Sequence, residues 1–357
     1  MANLERVQSA VKEAGLDALL LMDDRNIYYA TDFMPQDSAA LITPDKAFVV
    51  TDSRYIEAAE KECAEGVECV LTTREKPLAA TLAELTGKLG VRELGAEEEY
   101  LTHGLYLRLE ERLGLAFRPS QAIVTALRQR KTAAELESLI AAQRIAEKAL
   151  EEVLPLIRPG VSEREIAAEI TYRMLLHGGE GNSFDPIVVA GAKGSMPHGV
   201  PGDELICEGD FVTMDFGCIK NGYCSDMTRT VAVGSVTDEM KNVYDTVLRA
   251  QLAGIAAARP GVPGADIHKA AADVIAAAGY GAYFGHGFGH GVGLYIHEAP
   301  NAAPSNTQPM PEGAVISAEP GIYLPGRFGV RIEDVLYLTG EGNVDITKAP
   351  KELIILG

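Results

Sequence analysis

The chain has 357 residues, 47% of them hydrophobic, with 51 acidic against 32 basic side chains and a formal net charge of −19. That length predicts two or three domains, and that charge disfavours nucleic acid or an anionic membrane as a partner. The longest apolar run, near Ala18 to Met22, is far too short to span a bilayer.

The opening Met1-Ala2-Asn3-Leu4-Glu5-Arg6 has no basic stretch followed by an apolar core, so no secretory signal is expected. Leu4 to Ala14 has helical spacing, ended by Gly15, and Asp17 to Met22 reads as a buried strand. Ala39 to Ile42 and Ala47 to Thr51 flank the turn composition Thr43-Pro44-Asp45-Lys46 and predict two strands. Ser53 to Lys61 and Pro77 to Leu89 read as helices. Residues 1–122 are therefore an α/β domain, and its one histidine, His103, is expected at the surface. Residues 123–131 read as a linker. Thr132 to Leu156 is a long amphipathic helix, with Thr132 as N-cap and Glu135 completing a capping box. A second domain is expected over 132–357.

The second domain contains a duplication. Arg158-Pro159-Gly160-Val161 recurs as Arg259-Pro260-Gly261-Val262 at an offset of 101, which Ile166/Ile267 and Gly178/Gly279 keep. Each copy reads as helix, turn, helix, glycine turn and strands, at a period too long for a solenoid. Two hairpin-like segments follow the same scheme. Glu208-Gly209 leads to Asp215, with Asp226 eleven residues on; Glu312-Gly313 leads to Glu319, with Glu333 fourteen residues on. Two related halves around a pseudo-twofold axis would bring these acids together.

Side chains alternate across a strand, so an acid at a fixed place in each hairpin points to a defined face. Four inward carboxylates would repel one another and be costly to bury ionised. Two divalent cations remove that penalty, and carboxylates can bridge metals about 3.5–4 Å apart. Between the hairpins lies His286-Gly287-Phe288-Gly289-His290-Gly291-Val292-Gly293, whose glycines oppose a helix and suit an extended strand or a loop where backbone must come close to a ligand. His297 follows in the same stretch, and His198 lies in a loop before the first hairpin. His177 and His268 fall in helical segments and are expected at the surface. The five cysteines (Cys63, Cys69, Cys207, Cys218 and Cys224) show no CxxC spacing, which fits a reducing compartment, and Cys218 and Cys224 are expected to pack rather than ligate.

These motifs in this order, with Met214-Asp215-Phe216-Gly217, Ser225 to Thr230, Ala318-Glu319-Pro320-Gly321 and Arg331-Ile332-Glu333-Asp334, resemble the pita-bread metallopeptidases. The nearest branch is that of Xaa-Pro dipeptidase (prolidase) and Xaa-Pro aminopeptidase, and the resemblance covers essentially the whole chain. It implies an α/β (α+β) architecture, a creatinase-type N-terminal domain followed by a pseudo-twofold pita-bread catalytic domain. By the same resemblance Asp215 would chelate one metal through both oxygens, Asp226 and Glu333 would bridge two, and His290 and Glu319 would complete the coordination of the second metal. His198, His286, His297 and Arg331 would belong to the active site, with Glu319 also accepting the proton of the attacking hydroxide's parent water. Oxygen-rich ligation with one imidazole suits Mn2+, with Co2+ or Zn2+ able to occupy the same donors. The expected substrates are short proline-containing peptides, with no nucleic acid or membrane partner. A cytoplasmic homodimer is implied in which the N-terminal domain reaches the neighbour's site. The competing readings are a metallo-aminopeptidase of other specificity and a non-catalytic peptide- or protein-binding relative on the same fold. One departure is Thr31-Asp32-Phe33, where the family often has glycine before the aromatic, which places a local turn in question.

Overall fold

The computed structural model describes residues 3–357 and divides between Arg128 and Gln129 into two compact units. Among the described residues no helix is long and apolar enough to cross a membrane.

In the first unit, α1 (Asn3–Glu13) leads to β1 (Ala18–Leu21), α2 (Asp24–Thr31), β2 (Ala39–Ile42) and β3 (Ala47–Thr51). Then come α3 (Ile56–Glu62), β4 (Val67–Leu71), α4 (Leu78–Leu89), β5 (Leu94–Ala96), α5 (His103–Leu113), β6 (Phe117–Pro119) and α6 (Gln121–Arg128). The six strands form one sheet in the order β4-β3-β2-β1-β5-β6. Strands β1 to β3 pair antiparallel, and the outer strands join in parallel. Strands β1, β2 and β3 are buried along their whole length, as apolar runs covered on both faces must be. The segment 123–131, read as a linker, contains most of α6. His103 is exposed, as expected.

The turn at Asp32 does form. Asp32 caps α2 with φ 61° and ψ 3°, and its N–H donates to the Tyr28 carbonyl. This is the left-handed conformation that glycine adopts without strain. Replacing Asp32 by Gly should therefore raise stability by up to about 1 kcal/mol, read as a higher urea midpoint at unchanged slope.

Glu97, just after β5, is fully buried and gathers the Met22 N–H, the Asp23 N–H and the Asn26 amide, while Asn26 Oδ1 accepts from Arg128 at 2.8 Å. Burial nevertheless pushes the Glu97 carboxyl from its ordinary 4.5 up to about 7, outweighing those hydrogen bonds. The folded chain holds this proton more tightly than the unfolded chain, so the stabilisation is complete below about 4.5 and is lost as pH rises through about 7. Wild type minus Glu97→Gln should lose on the order of 3 kcal/mol of relative stability across that window. Parallel urea-stability curves for the two proteins would refute the assignment.

The second unit opens with α7 (Ala133–Val153), whose first turn is the expected capping box of Thr132 and Glu135. Helix α8 (Glu163–Leu176) repeats the device with Ser162 and Glu165. There follow β7 (Gly181–Asn182), β8 (Ile187–Ala190), β9 (Phe211–Phe216), β10 (Cys218–Lys220), β11 (Tyr223–Cys224) and β12 (Met227–Val233). The second half is α9 (Asp238–Ala257), α10 (Gly264–Ala277), β13 (Gly289–Gly291), β14 (Glu298–Ala302), β15 (Val315–Ala318), β16 (Gly321–Leu324), β17 (Phe328–Arg331), β18 (Asp334–Thr339), β19 (Gly342–Asp345) and β20 (Ile355–Leu356).

The duplication is repeated contact for contact. Gly160 N–H donates to Ile206 O and Gly261 N–H to Met310 O, both at 2.9 Å, and both glycines hold positive φ, 90° and 83°. Ile206 N–H returns to Val161 O as Met310 N–H returns to Val262 O. Ile166 and Ile267 are both buried. In one half α7 and α8 pack on the sheet β20-β12-β9-β8; in the other α9 and α10 pack on β14-β13-β15-β18-β19. Each half pairs two long strands antiparallel, β9 with β12 and β15 with β18, around a short inner hairpin, β10–β11 or β16–β17. The halves are stitched where Glu333 N–H donates to Thr228 O at 3.1 Å.

Candidate metal centre

The two strand pairs deliver the four acids to one place. Asp215 lies near the end of β9, Asp226 immediately precedes β12, Glu319 immediately follows β15 and Glu333 immediately precedes β18. His290 sits at the middle of β13, between β14 and β15. The glycines beside it are demanded by close packing: a Cβ at Gly289 would collide with the Ser317 carbonyl, and one at Gly291 with the Glu298 carbonyl. A histidine alternating with glycine is thus an interior strand, as the extended reading predicted.

Donor atoms of Asp226, His290 and Glu333 lie within 4.8 Å of one another. His290 Nε2 stands 3.4 Å from Asp226 Oδ2 and 3.2 Å from Glu319 Oε1. Its Nδ1 faces the Gly291 carbonyl at 3.2 Å. A carbonyl only accepts, so a proton belongs on Nδ1, and Nε2 is the ring atom presented to the acids. Ser317 Oγ accepts from His290 N–H and donates to Glu319 Oε1. Thr228 Oγ1 donates to Glu333 Oε2 at 2.7 Å, and Arg331 Nη2 to Asp215 Oδ2 at 2.6 Å.

The charge in this cluster is poorly compensated. Burial, reinforced by Glu333, Asp215 and Glu319, pushes the Asp226 carboxyl well above its usual range. Burial with Glu319 and Asp215 does the same to Glu333, and burial also raises Asp215 despite Arg331. Glu319 is also buried, but its contact with His290 prevails and holds it down at about 2. For His290 the pull of burial is downward, yet Glu319 and Asp215 reverse it. Two buried oxygens, Asp215 Oδ1 and Glu333 Oε1, have no hydrogen-bond partner among the described residues. Such orphaned acceptors cost free energy unless something electropositive meets them. The donor set is what hard divalent cations take, so the residues present fit the implied metals.

The remaining site residues line the same cavity of about 600 Å³. His198 is on an exposed loop tied down by buried Glu163, which accepts from Ala190 N–H, Gly202 N–H and Lys193 Nζ. His297 rests against His290 with ring centroids 4.2 Å apart, and Glu298 beside it is anchored by the buried Lys131 at 2.8 Å. His286 Nδ1 faces the Gly287 carbonyl and its Nε2 lies 3.0 Å from the Tyr323 hydroxyl. Burial lowers its pKa. The neutral ring therefore donates from Nδ1 and accepts the Tyr323 proton at Nε2. Tyr323 in turn accepts from Arg331 Nη1 at 2.9 Å.

Sequence reasoning missed Tyr323, Thr228 as the partner of Glu333, and Ser317; no motif spacing marks a side chain that acts through its neighbour. His268 corrects an expectation: it is half-buried and stacks on Phe284, which abuts His286 edge-on, so it is not an ordinary surface residue. His177 is half-buried against Glu152 at 3.0 Å. Cys218 and Cys224 are buried, and neither belongs to the group of possible metal donors found among the described residues.

A duplicated β-scaffold that turns four carboxylates and one imidazole into a shared cavity is the architecture of a metal-dependent hydrolase. Comparison with known proteins gives the family. Residues 137–340 match metallopeptidase family M24, and residues 3–130 match the Creatinase/Prolidase N-terminal domain. The chain belongs to metallopeptidase family M24, and its second unit is the pita-bread catalytic fold. It is 33% identical over 353 residues to a Xaa-Pro dipeptidase of Pyrococcus horikoshii, covering 98% of each chain. Among solved structures it matches the Xaa-Pro dipeptidase from Bacillus anthracis with a TM-score of 0.94 and 43% identity, over 99% of each chain. It matches an X-Pro aminopeptidase from Thermotoga maritima with a TM-score of 0.92 and 34% identity, over 98% of this chain and 100% of that one.

If the cluster binds metal, Mn2+ at about 100 times its Kd should add about 2.7 kcal/mol to the unfolding free energy. The gain should shrink sharply in Asp226→Asn. Urea titrations with and without Mn2+ measure it, and identical midpoints in the wild type would count against a metal site.

Proposed function

We propose that the chain hydrolyses Xaa-Pro bonds, in dipeptides or at peptide N-termini, using two divalent cations. Asp215, Asp226, His290, Glu319 and Glu333 would hold them, Mn2+ by preference and Co2+ or Zn2+ as alternatives. The observation that carries the reading is the convergence of these five residues with two carboxylate oxygens left unpaired. Relatives described as Xaa-Pro dipeptidases and an X-Pro aminopeptidase, similar over nearly the full length, support the substrate class. When bound, such a metal pair supplies Lewis acidity and brings the pKa of a shared water toward neutrality.

The chain's own residues perform the rest. Glu319, kept ionised beside His290, accepts the proton as water attacks the scissile carbon. Burial and the neighbouring His290 lower the His297 pKa, so its neutral ring can donate an N–H to the developing oxyanion. His198, on its tethered loop, orients the peptide or meets the departing amine. Arg331 fixes Asp215, and the His286–Tyr323 pair fixes Arg331. A tertiary Xaa-Pro amide has no N–H and a ring-locked φ. Peptidases that grip an extended substrate through that N–H handle it badly, whereas Phe184, Pro186, Ile187, Pro197 and Ile296 offer the ring an apolar wall. Acidic composition and free cysteines support a cytoplasmic site of action, and the family resemblance supports a homodimer.

With Mn2+ supplied, the protein should cleave at least one of Ala-Pro and Ala-Pro-Ala at the Ala-Pro bond and leave Ala-Ala intact. A chelator should abolish turnover. Asp226→Asn should lose more than about 100-fold in kcat/KM, beyond what outer-shell changes cost. Metal-independent turnover, or none with any proline peptide, would overturn the proposal.

A further inference from the structure

We infer that the site takes peptides that continue beyond the proline and discriminates against dipeptides ending in it. This rests on the Xaa-Pro reading above. The two substrate types share the scissile bond and differ in the group that follows proline, a carboxylate in one and an amide in the other. Holding a desolvated carboxylate requires an uncommitted cation, most effectively a guanidinium.

Among the described residues the lining of the cavity offers no such lysine or arginine. Among its described lining residues Arg331 is the one lysine or arginine. It is buried, and four of its five N–H donors are engaged: Nε on Thr228 Oγ1, Nη1 on the Tyr323 hydroxyl and the Pro197 carbonyl, one N–H of Nη2 on Asp215, whose charge it offsets. His286 has both ring nitrogens engaged and is kept neutral by burial. His290 has one nitrogen on Gly291 O and the other toward Asp226 and Glu319.

Two further residues tilt the balance toward an uncharged end. Asp185 is exposed, lines the cavity and has no ion pair among the described residues. It lies two residues ahead of Ile187, the first residue of β8, which pairs across the strands with Asp215. Its charge disfavours a second carboxylate in the same space. Asn301 is exposed on β14 and also lines the cavity, and its side-chain amide makes no hydrogen bond among the described residues. A neutral amide can both donate to and accept from a peptide group. The mouth opens past Val200, which is 77% exposed, leaving a way out for a longer chain.

The test uses the full chain with Mn2+ supplied and three substrates: Ala-Pro, Ala-Pro-NH2 and Ala-Pro-Ala. The amide matches the dipeptide in size and removes only the negative charge. Both uncharged-end substrates should exceed Ala-Pro by about tenfold or more in kcat/KM, chiefly through KM. Asn301→Arg, which installs a cation at the wall, should raise Ala-Pro and collapse the ratio, while Asn301→Gln should leave it in place. If Asn301→Arg fails to fold, Asp185→Asn reads the same quantity and should lower the ratio. Ala-Pro cleaved as well as or better than Ala-Pro-NH2 overturns this inference alone, as does a ratio that neither charge change moves. Turnover of none of the three overturns the peptidase reading itself, and this inference with it.

Discussion

Four carboxylates forced into one buried volume are the constraint around which the second unit is organised. Asp215, Asp226, Glu319 and Glu333 share that volume with a single guanidinium, Arg331. Ionised, they leave a deficit of three positive charges, and burial makes that deficit expensive. The protein's own groups answer with raised carboxyl pKa values on three of the acids and a lowered one on Glu319, which takes the favourable contact with His290. Two divalent cations exceed the deficit by one charge. Under the proposed function that surplus would face the anion that develops when a peptide carbonyl is attacked, so the imbalance that makes the cluster costly would suit it to hydrolysis.

Repulsion of this size would part the strands unless something held them, and Arg229 does. Its fully buried guanidinium places all its donors. Nε meets Pro350 O; Nη1 meets Thr228 O and Glu333 O; Nη2 meets Asp334 Oδ1 and Ala349 O. One side chain thereby joins β12, the residue that starts β18 and the C-terminal segment. Asp334 also receives Lys351 and Gln251, so the charge of Arg229 is matched where it lies. The backbone of Glu333 is fixed from two directions, by Arg229 at its carbonyl and by Thr228 at its N–H. A carboxylate rigidly placed before it is charged costs little to organise afterwards.

Elements whose signal is local were legible in the sequence. Strands β2 and β3 fall where their apolar runs and the Thr43 to Lys46 turn put them, and α7 starts at its capping box. Helix α2 was not legible, because what it buries includes Asn26 and Thr31 and its pattern lacks an apolar stripe. The clustering of the four acids was legible because the duplication marks equivalent places twice. Tyr323 was not, since its meaning arises only when β16 pairs with β17 and carries its hydroxyl to Arg331. His268 failed for the related reason that helical position alone does not say which face a neighbouring aromatic will cover. Local rules reach local structure; side chains that act through a third residue need the tertiary pairing.

The duplication also explains a directionality that neither half has alone. Asp215 and Glu319 occupy equivalent places, 104 residues apart, in backbones that repeat each other. Their partners do not repeat. Arg331, from the second half, reaches back to Asp215, and no equivalent cation reaches Glu319, which meets His290 instead. The permanent positive charge is thus concentrated on one side of the cluster and a titratable ring on the other. A symmetric cluster would bind a peptide carbonyl equally well in two orientations. Here the guanidinium neutralises one acid and leaves the opposite acid, one methylene longer, to the imidazole that keeps it ionised. Gene duplication supplied the converging carboxylates, and it is the later departure from symmetry, at Arg331 and His290, that gives the cavity a front and a back.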